Sequence, residues 1–137
     1  MKINSNISYL IIFLLAIRIN LYADRIIVEK KTNVSSISQA IKIEKPYDEI
    51  IIRSGEYKEG NIIIDKPLKI TGDNFPVLDG EGEYEIFTVH SDNVFISGII
   101  FKNAGVNYLK ENAAVRFENV KNGEVSNCKF YGNFFSV

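Results

Sequence analysis

Few residues of this 137-residue chain have the makings of chemistry. Asp79, Glu81, Glu83 and Glu85 recur at every second position of LDGEGEYE, and the chain has one histidine, His90, and one cysteine, Cys128. Paired carboxylates cleave glycosides when fixed about 5–9.5 Å apart with one kept protonated by its surroundings. This run is interrupted by glycine and has no apolar or basic neighbour in sequence to shift a pKa, so it reads as a solvated turn. Its oxygens suit a weak Ca²⁺ site at most, because neither EF-hand nor nonapeptide spacing is present. Copper(I) favours Cys, Met and His, and the only methionine is Met1. Cys128 falls 29 residues after Ile99, beside an expected strand corner, and reads as a small buried hydrophobe. His90 follows an inward-facing Val89, so alternation aims it at solvent. One histidine on its own strand face makes neither a Ser/His/Asp nor a Cys/His set. No catalytic, metal or cofactor residues are assigned, and copper binding is not supported by the residues present.

The elements that would position these side chains follow from composition and pattern. Sixteen Lys+Arg against 17 Asp+Glu leave no basic footprint for nucleic acid. A hydrophobic share of 46% with 24% charged residues is that of a globular domain, and one cysteine excludes an internal disulfide framework. Lys2, the apolar run Tyr9 to Ile17, and Leu21-Tyr22-Ala23 before Asp24 follow the order of a secretory signal peptide. Nine apolar residues fall short of the roughly 20 that span a bilayer. The expectation is therefore cleavage between Ala23 and Asp24, removal of residues 1–23, and a periplasmic domain at residues 24–137, peripheral to the membrane at most.

Ile37, Ala40, Ile41 and Glu44 stand at helical spacing, with Ser35 or Ser36 as cap and Pro46 as stop, which predicts a short helix over 35–45. From Glu49 onward short β-branched runs alternate with Gly, Asn and Asp. These runs repeat. Ile70-Thr71-Gly72, Ile96-Ser97-Gly98 and Val125-Ser126-Asn127 are 26 and 29 residues apart. Leu68 and Val94 precede the first two, with Gly123 in the third place, and Phe75, Phe101 and Phe130 follow each at five residues. Ile62/Ile64, Phe87/Val89 and Val115/Phe117 recur as a second strand. Such a period marks a solenoid whose turns must stack to bury their apolar faces. These residues are expected to stack inward, while Lys69, Phe95 and Glu124 point out. Gly72, Gly98 and Asn127 would form a corner that needs a left-handed backbone. A leucine-rich repeat would need a Leu consensus that is absent. The fold class is all-β: a parallel β-helix, right-handed by crossover chirality, with a short N-terminal helix covering the first rung.

The stretches ISQAI at 37–41, DEIIIRSGEYKEGN at 48–61, IDKPLKITG at 64–72 and PVLDG at 76–80 resemble the opening of pectin-lyase-like β-helix proteins, and in particular the NosD family. NGEVSNCKF at 122–130 and GNFF at 132–135 are similar to its repeats. The resemblance implies a periplasmic accessory protein that supports assembly of the copper-sulfide centre of nitrous oxide reductase. Its implied partners are an ABC-type ATPase, a permease and the reductase itself. Family members have many more rungs, so the chain reads as their N-terminal part, truncated after Val137. The Gly-His-Gly and paired-Asp signatures of polygalacturonase-like enzymes and the Arg-x-Pro-x-x-Arg pattern of pectate lyases are missing. Two other readings stand beside the accessory one: the N-terminal piece of a carbohydrate-active β-helix enzyme, and a non-functional remnant.

Overall fold

Strands of two to four residues are too short to hold themselves, so their stability rests on lateral pairing with strands one turn away. The computed structural model describes residues 23–105 and 112–133, and shows this pairing throughout. Three all-parallel sheets wrap one core. The first contains β1 (Arg25–Val28), β2 (Glu49–Ile52), β5 (Lys69–Gly72), β8 (Phe95–Ser97) and β11 (Glu124–Ser126), in that spatial order. The second stacks β3 (Glu56–Tyr57), β6 (Val77–Asp79), β9 (Ile100–Lys102) and β12 (Lys129–Tyr131). The third stacks β4 (Ile62–Ile64), β7 (Phe87–Val89) and β10 (Val115–Phe117). The chain thus visits the three sheets in turn, as a parallel β-solenoid of about four turns with one short helix.

Register follows the repeat. Ile50, Ile70, Ile96 and Val125 are lateral partners, as are Ile62, Phe87 and Val115, and Ile64, Val89 and Phe117. Ile62, Ile64, Leu68, Ile70, Phe87, Val89, Val94, Ile96, Phe101 and Val115 are buried. Phe117, Val125 and Phe130 are half-buried against the same core, on the outermost described strand of each sheet. Phe101 meets Phe87 edge-on at 5.6 Å and stacks on Phe130 at 5.3 Å, an aromatic column through three rungs. Gly123, where the other rungs carry Leu68 and Val94, leaves room for the ring of Phe117, which replaces the smaller Val89. Volume lost at one position is regained at its neighbour.

Two expectations are corrected. Phe75 is not the equivalent of Phe101: Leu78 pairs with Phe101, and Asp73 to Pro76 are an insertion at that corner. Phe75 has φ 52° and lies half-buried on the outside, its ring beneath Lys129 Nζ at 4.5 Å. Leu78 fills the core position instead and is fully buried. Gly72 does not need a left-handed backbone; only Gly98 (φ 70°) and Asn127 (φ 48°) adopt one. Gly72 is required for close approach, because a Cβ there would meet the carbonyl oxygen of Gly98.

The helix α1 (Ile37–Ile43) packs on β1, β2 and β4 and closes the N-terminal end of the core with Ile37, Ala40 and Ile41. Its short length is offset by side chains from the first rung. Ser36 caps it by accepting from Gln39 N–H at 3.3 Å, and Glu59 accepts from the N–H groups of Ile37 at 2.9 Å and Ser38 at 3.2 Å. Lys66 Nζ donates to the carbonyls of Ile41 and Glu44 at 2.9 and 3.1 Å, satisfying the other end. The four-residue β1, not anticipated from the sequence, lies before it and edges the first sheet.

Candidate functional site

On a solenoid the inward side chains are committed to the core, so any site must be assembled from outward residues of neighbouring rungs and the turns that flank them. On the third sheet the outward residues Ile63, Thr88 and Arg116 form one lateral row. Glu85 enters from the turn before β7, Asn61 precedes β4, and His90 and Glu118 follow β7 and β10. With Glu85, Thr88, His90, Glu118, Asn61 and Ile63 as walls, the sheet carries a cleft of about 240 Å³.

The floor of this cleft is an ionic network. Arg116 Nε donates to Glu85 Oε2 at 2.6 Å, the amide of Ala113 reaches the same oxygen at 3.4 Å, and the Thr88 hydroxyl donates to Oε1. Glu85 is only 3% exposed. Burial pushes its carboxyl up, but the Thr88, Arg116 and Ala113 hydrogen bonds outweigh burial and hold it below its ordinary value. Nη2 of Arg116 is buried without a hydrogen-bond partner. At the rim His90 Nε2 lies 2.8 Å from Glu118 Oε2, both half-exposed. An ionised acid, a guanidinium with a spare donor, a hydroxyl and an imidazole suit a polyhydroxylated or peptidic ligand held by hydrogen bonds.

The acidic run is thereby divided, which corrects its reading as a wholly solvated turn. Glu81 and Glu83 are exposed, whereas Asp79 and Glu85 are buried. Asp79 accepts from Glu81 N–H at 2.9 Å and Asn103 Nδ2 at 3.1 Å, and Lys102 Nζ lies 3.3 Å away. Burial opposes ionisation of Asp79, and these partners more than offset it, so its pKa is lowered. The basic neighbours that the sequence seemed to lack sit one rung on.

Cys128 is half-buried against the core beside Ile99, its Sγ donating to the Ser126 carbonyl at 3.3 Å, and burial raises its thiol pKa. His90 is exposed, as alternation required, but at the rim of the cleft. Cys128 lies in the corner between β11 and β12, and the structure does not bring the two together. Among the described residues no group of three or more His, Cys, Asp or Glu side chains is placed to hold a metal ion. Ala23 and Asp24 are exposed ahead of β1; the signal-peptide reading of residues 1–22 and the repeat residues Phe134 and Phe135 lie outside the described residues. No described helix is long and apolar enough to cross a membrane.

A second outward surface is charged rather than concave. Arg25, Glu49, Lys69, Phe95 and Glu124 are lateral neighbours on the first sheet. Glu49 bridges Arg25 at 2.8 Å and Lys69 at 2.9 Å, and the Lys69 hydrogen bond is the main cause of its lowered pKa. No family model matches the chain, and no curated protein or solved structure matches it at a level that shows kinship.

Proposed function

We propose that the chain is an exported accessory protein of the NosD type, whose stacked outer faces bind partners during maturation of the copper centre of nitrous oxide reductase, and that this stretch binds rather than reacts. The observation that carries the non-catalytic reading is the state of the cleft's buried acid. Glu85 is ionised and spends its oxygens on Arg116, Thr88 and Ala113, so it is neither a protonated general acid nor a free base. Copper would reach the reductase through the partners and not through ligands supplied by these rungs. The ATPase, permease and reductase partnership rests on the sequence resemblance, and export on the Lys2-to-Ala23 pattern.

The test is complementation. The complete gene that encodes this chain is placed in a denitrifying host deleted for its own NosD, and the copper content of purified nitrous oxide reductase is measured. Restored copper loading is expected; reductase as copper-poor as in the deletion strain overturns the proposal. A second reading, glycan binding as part of a carbohydrate-active β-helix, is favoured by the His90–Glu118 pair over the cleft. A glycan array scored with the protein and its His90→Ala variant separates it, because only that reading expects oligosaccharide retention that the substitution weakens.

A further inference from the structure

Two buried acids at the base of the solenoid have an incomplete set of partners. Asp48 is 5% exposed and Glu44 9% exposed, and Glu44 Oε2 has no hydrogen-bond partner. Asp48 Oδ2 accepts the amide of Lys45 at 2.9 Å, and Oδ1 accepts the backbone N–H of Asp24 at 2.8 Å. The Asp24 nitrogen is held in place because β1 pairs with β2, Glu49 N–H donating to Asp24 O at 2.9 Å. The charged groups around the pair are the Asp24 carboxylate and Lys45; Lys66 gives its ammonium to the carbonyls of Ile41 and Glu44. Acids outnumber cations here. Burial, then hydrogen bonding with Asp48, accordingly pushes the Glu44 carboxyl up.

We infer that the α-ammonium group of Asp24, released when the chain is cut after Ala23, is a structural cation that completes the Asp48–Glu44 carboxyl pair. The inference rests on the export reading above, in which Ala23–Asp24 is the processing site. Hydrolysis adds water across that peptide bond: Ala23 leaves with the new carboxylate, and the Asp24 nitrogen becomes an amine that takes up a proton at neutral pH. The nitrogen already sits at hydrogen-bond distance from Asp48, so the change is from a neutral donor with one proton to a cation with three. One stays on Asp48 Oδ1, and the others are available to the unpartnered oxygen of Glu44. A buried acid pair without a cation is costly, and one given a hydrogen-bonded cation is not. Processing thus does more than remove a leader: it tightens the first rung and the helix end that Glu44 closes.

The exported protein is purified, its amino-terminal residue sequenced, and its α-amine acylated at pH 7 in native and urea-unfolded states. Start at Asp24 and at least about tenfold slower native acylation are expected, the equivalent of one pK unit of protection. Asp48→Asn is expected to abolish most of that protection. Should Asp48→Asn fail to fold, Glu44→Gln gives the second comparison and is expected to lose part of it. A start elsewhere than Asp24 overturns the processing reading and the inference with it. A start at Asp24 with equal native and unfolded reactivity overturns the inference alone.

Discussion

Arg116 donates to Glu85 across one rung at 2.6 Å, joining residues 31 positions apart at the floor of the cleft. The side chain of Glu85 is 4% exposed and that of Arg116 is 25% exposed, so the pair is shielded on the acid's side and screened on the base's. Arg116→Met leaves a buried carboxylate without its cation. The expected cost is about 1.5–3 kcal/mol, that of a hydrogen bond to a charged group, since partial exposure of Arg116 trims the figure for a fully buried pair. Glu85→Gln combined with Arg116→Met is expected to cost less than Arg116→Met alone. Urea unfolding of both variants checks the order.

Acid sensitivity has a defined sign. Glu85, Asp79 and Glu49 have carboxyls held below their ordinary values of 4.5, 3.8 and 4.5. Their contribution is fully present above those values and is lost as pH falls through the depressed folded pKa values. Glu44 is raised above 4.5, so its contribution is present below 4.5 and is lost as pH rises through its folded value. Urea midpoints are therefore expected to fall steeply below about pH 4, while Glu44→Gln makes the wild-type decline above pH 4.5 shallower. A midpoint unchanged from pH 7 to pH 3 contradicts the assignment.

The corrected corner gives a paired test of register. Leu78 is fully buried between Tyr57 and Phe101, and Leu78→Ala is expected to cost about 2–5 kcal/mol. Phe75→Ala removes an outer ring whose cation contact with Lys129 is worth about 0.5–1 kcal/mol. Thermal unfolding of the two variants should rank Leu78→Ala far below Phe75→Ala. The reverse order would restore Phe75 to the core.

Much of the fold was legible because it is periodic. Ile70, Ile96 and Val125 advertise their stacking through matched neighbours at nearly constant spacing, and α1 through Ile37, Ala40 and Ile41. The turn from Ile50 to Ile70 was hidden because its corners are short and it departs from the spacing of the others, and β1 because four residues with an exposed Ile27 show too little alternation. Phe75 misled because an insertion moved it out of phase at a place where aromatic type and spacing still matched. The site was less legible. Glu85 and Asp79 meet their cations, Arg116 and Lys102, only through rung stacking, at separations that a local window does not contain. Recurrence of the Ile63, Thr88 and Arg116 positions between inward residues was the one available signal for the cleft.

Everything above depends on neighbouring rungs lying in register, and a distance between outward residues tests that most directly. Lys69 and Phe95 are lateral partners on β5 and β8, 26 residues apart in sequence, and both face solvent. In a Cys128→Ser background, spin labels at Lys69 and Phe95 are expected to show strong dipolar broadening, because adjacent strand backbones lie about 4.8 Å apart. Labels at Lys69 and Glu124, one rung further, should broaden less. Weak or absent coupling in the Lys69–Phe95 pair, or stronger coupling in the Lys69–Glu124 pair, would contradict the stacked solenoid and the cleft built on it.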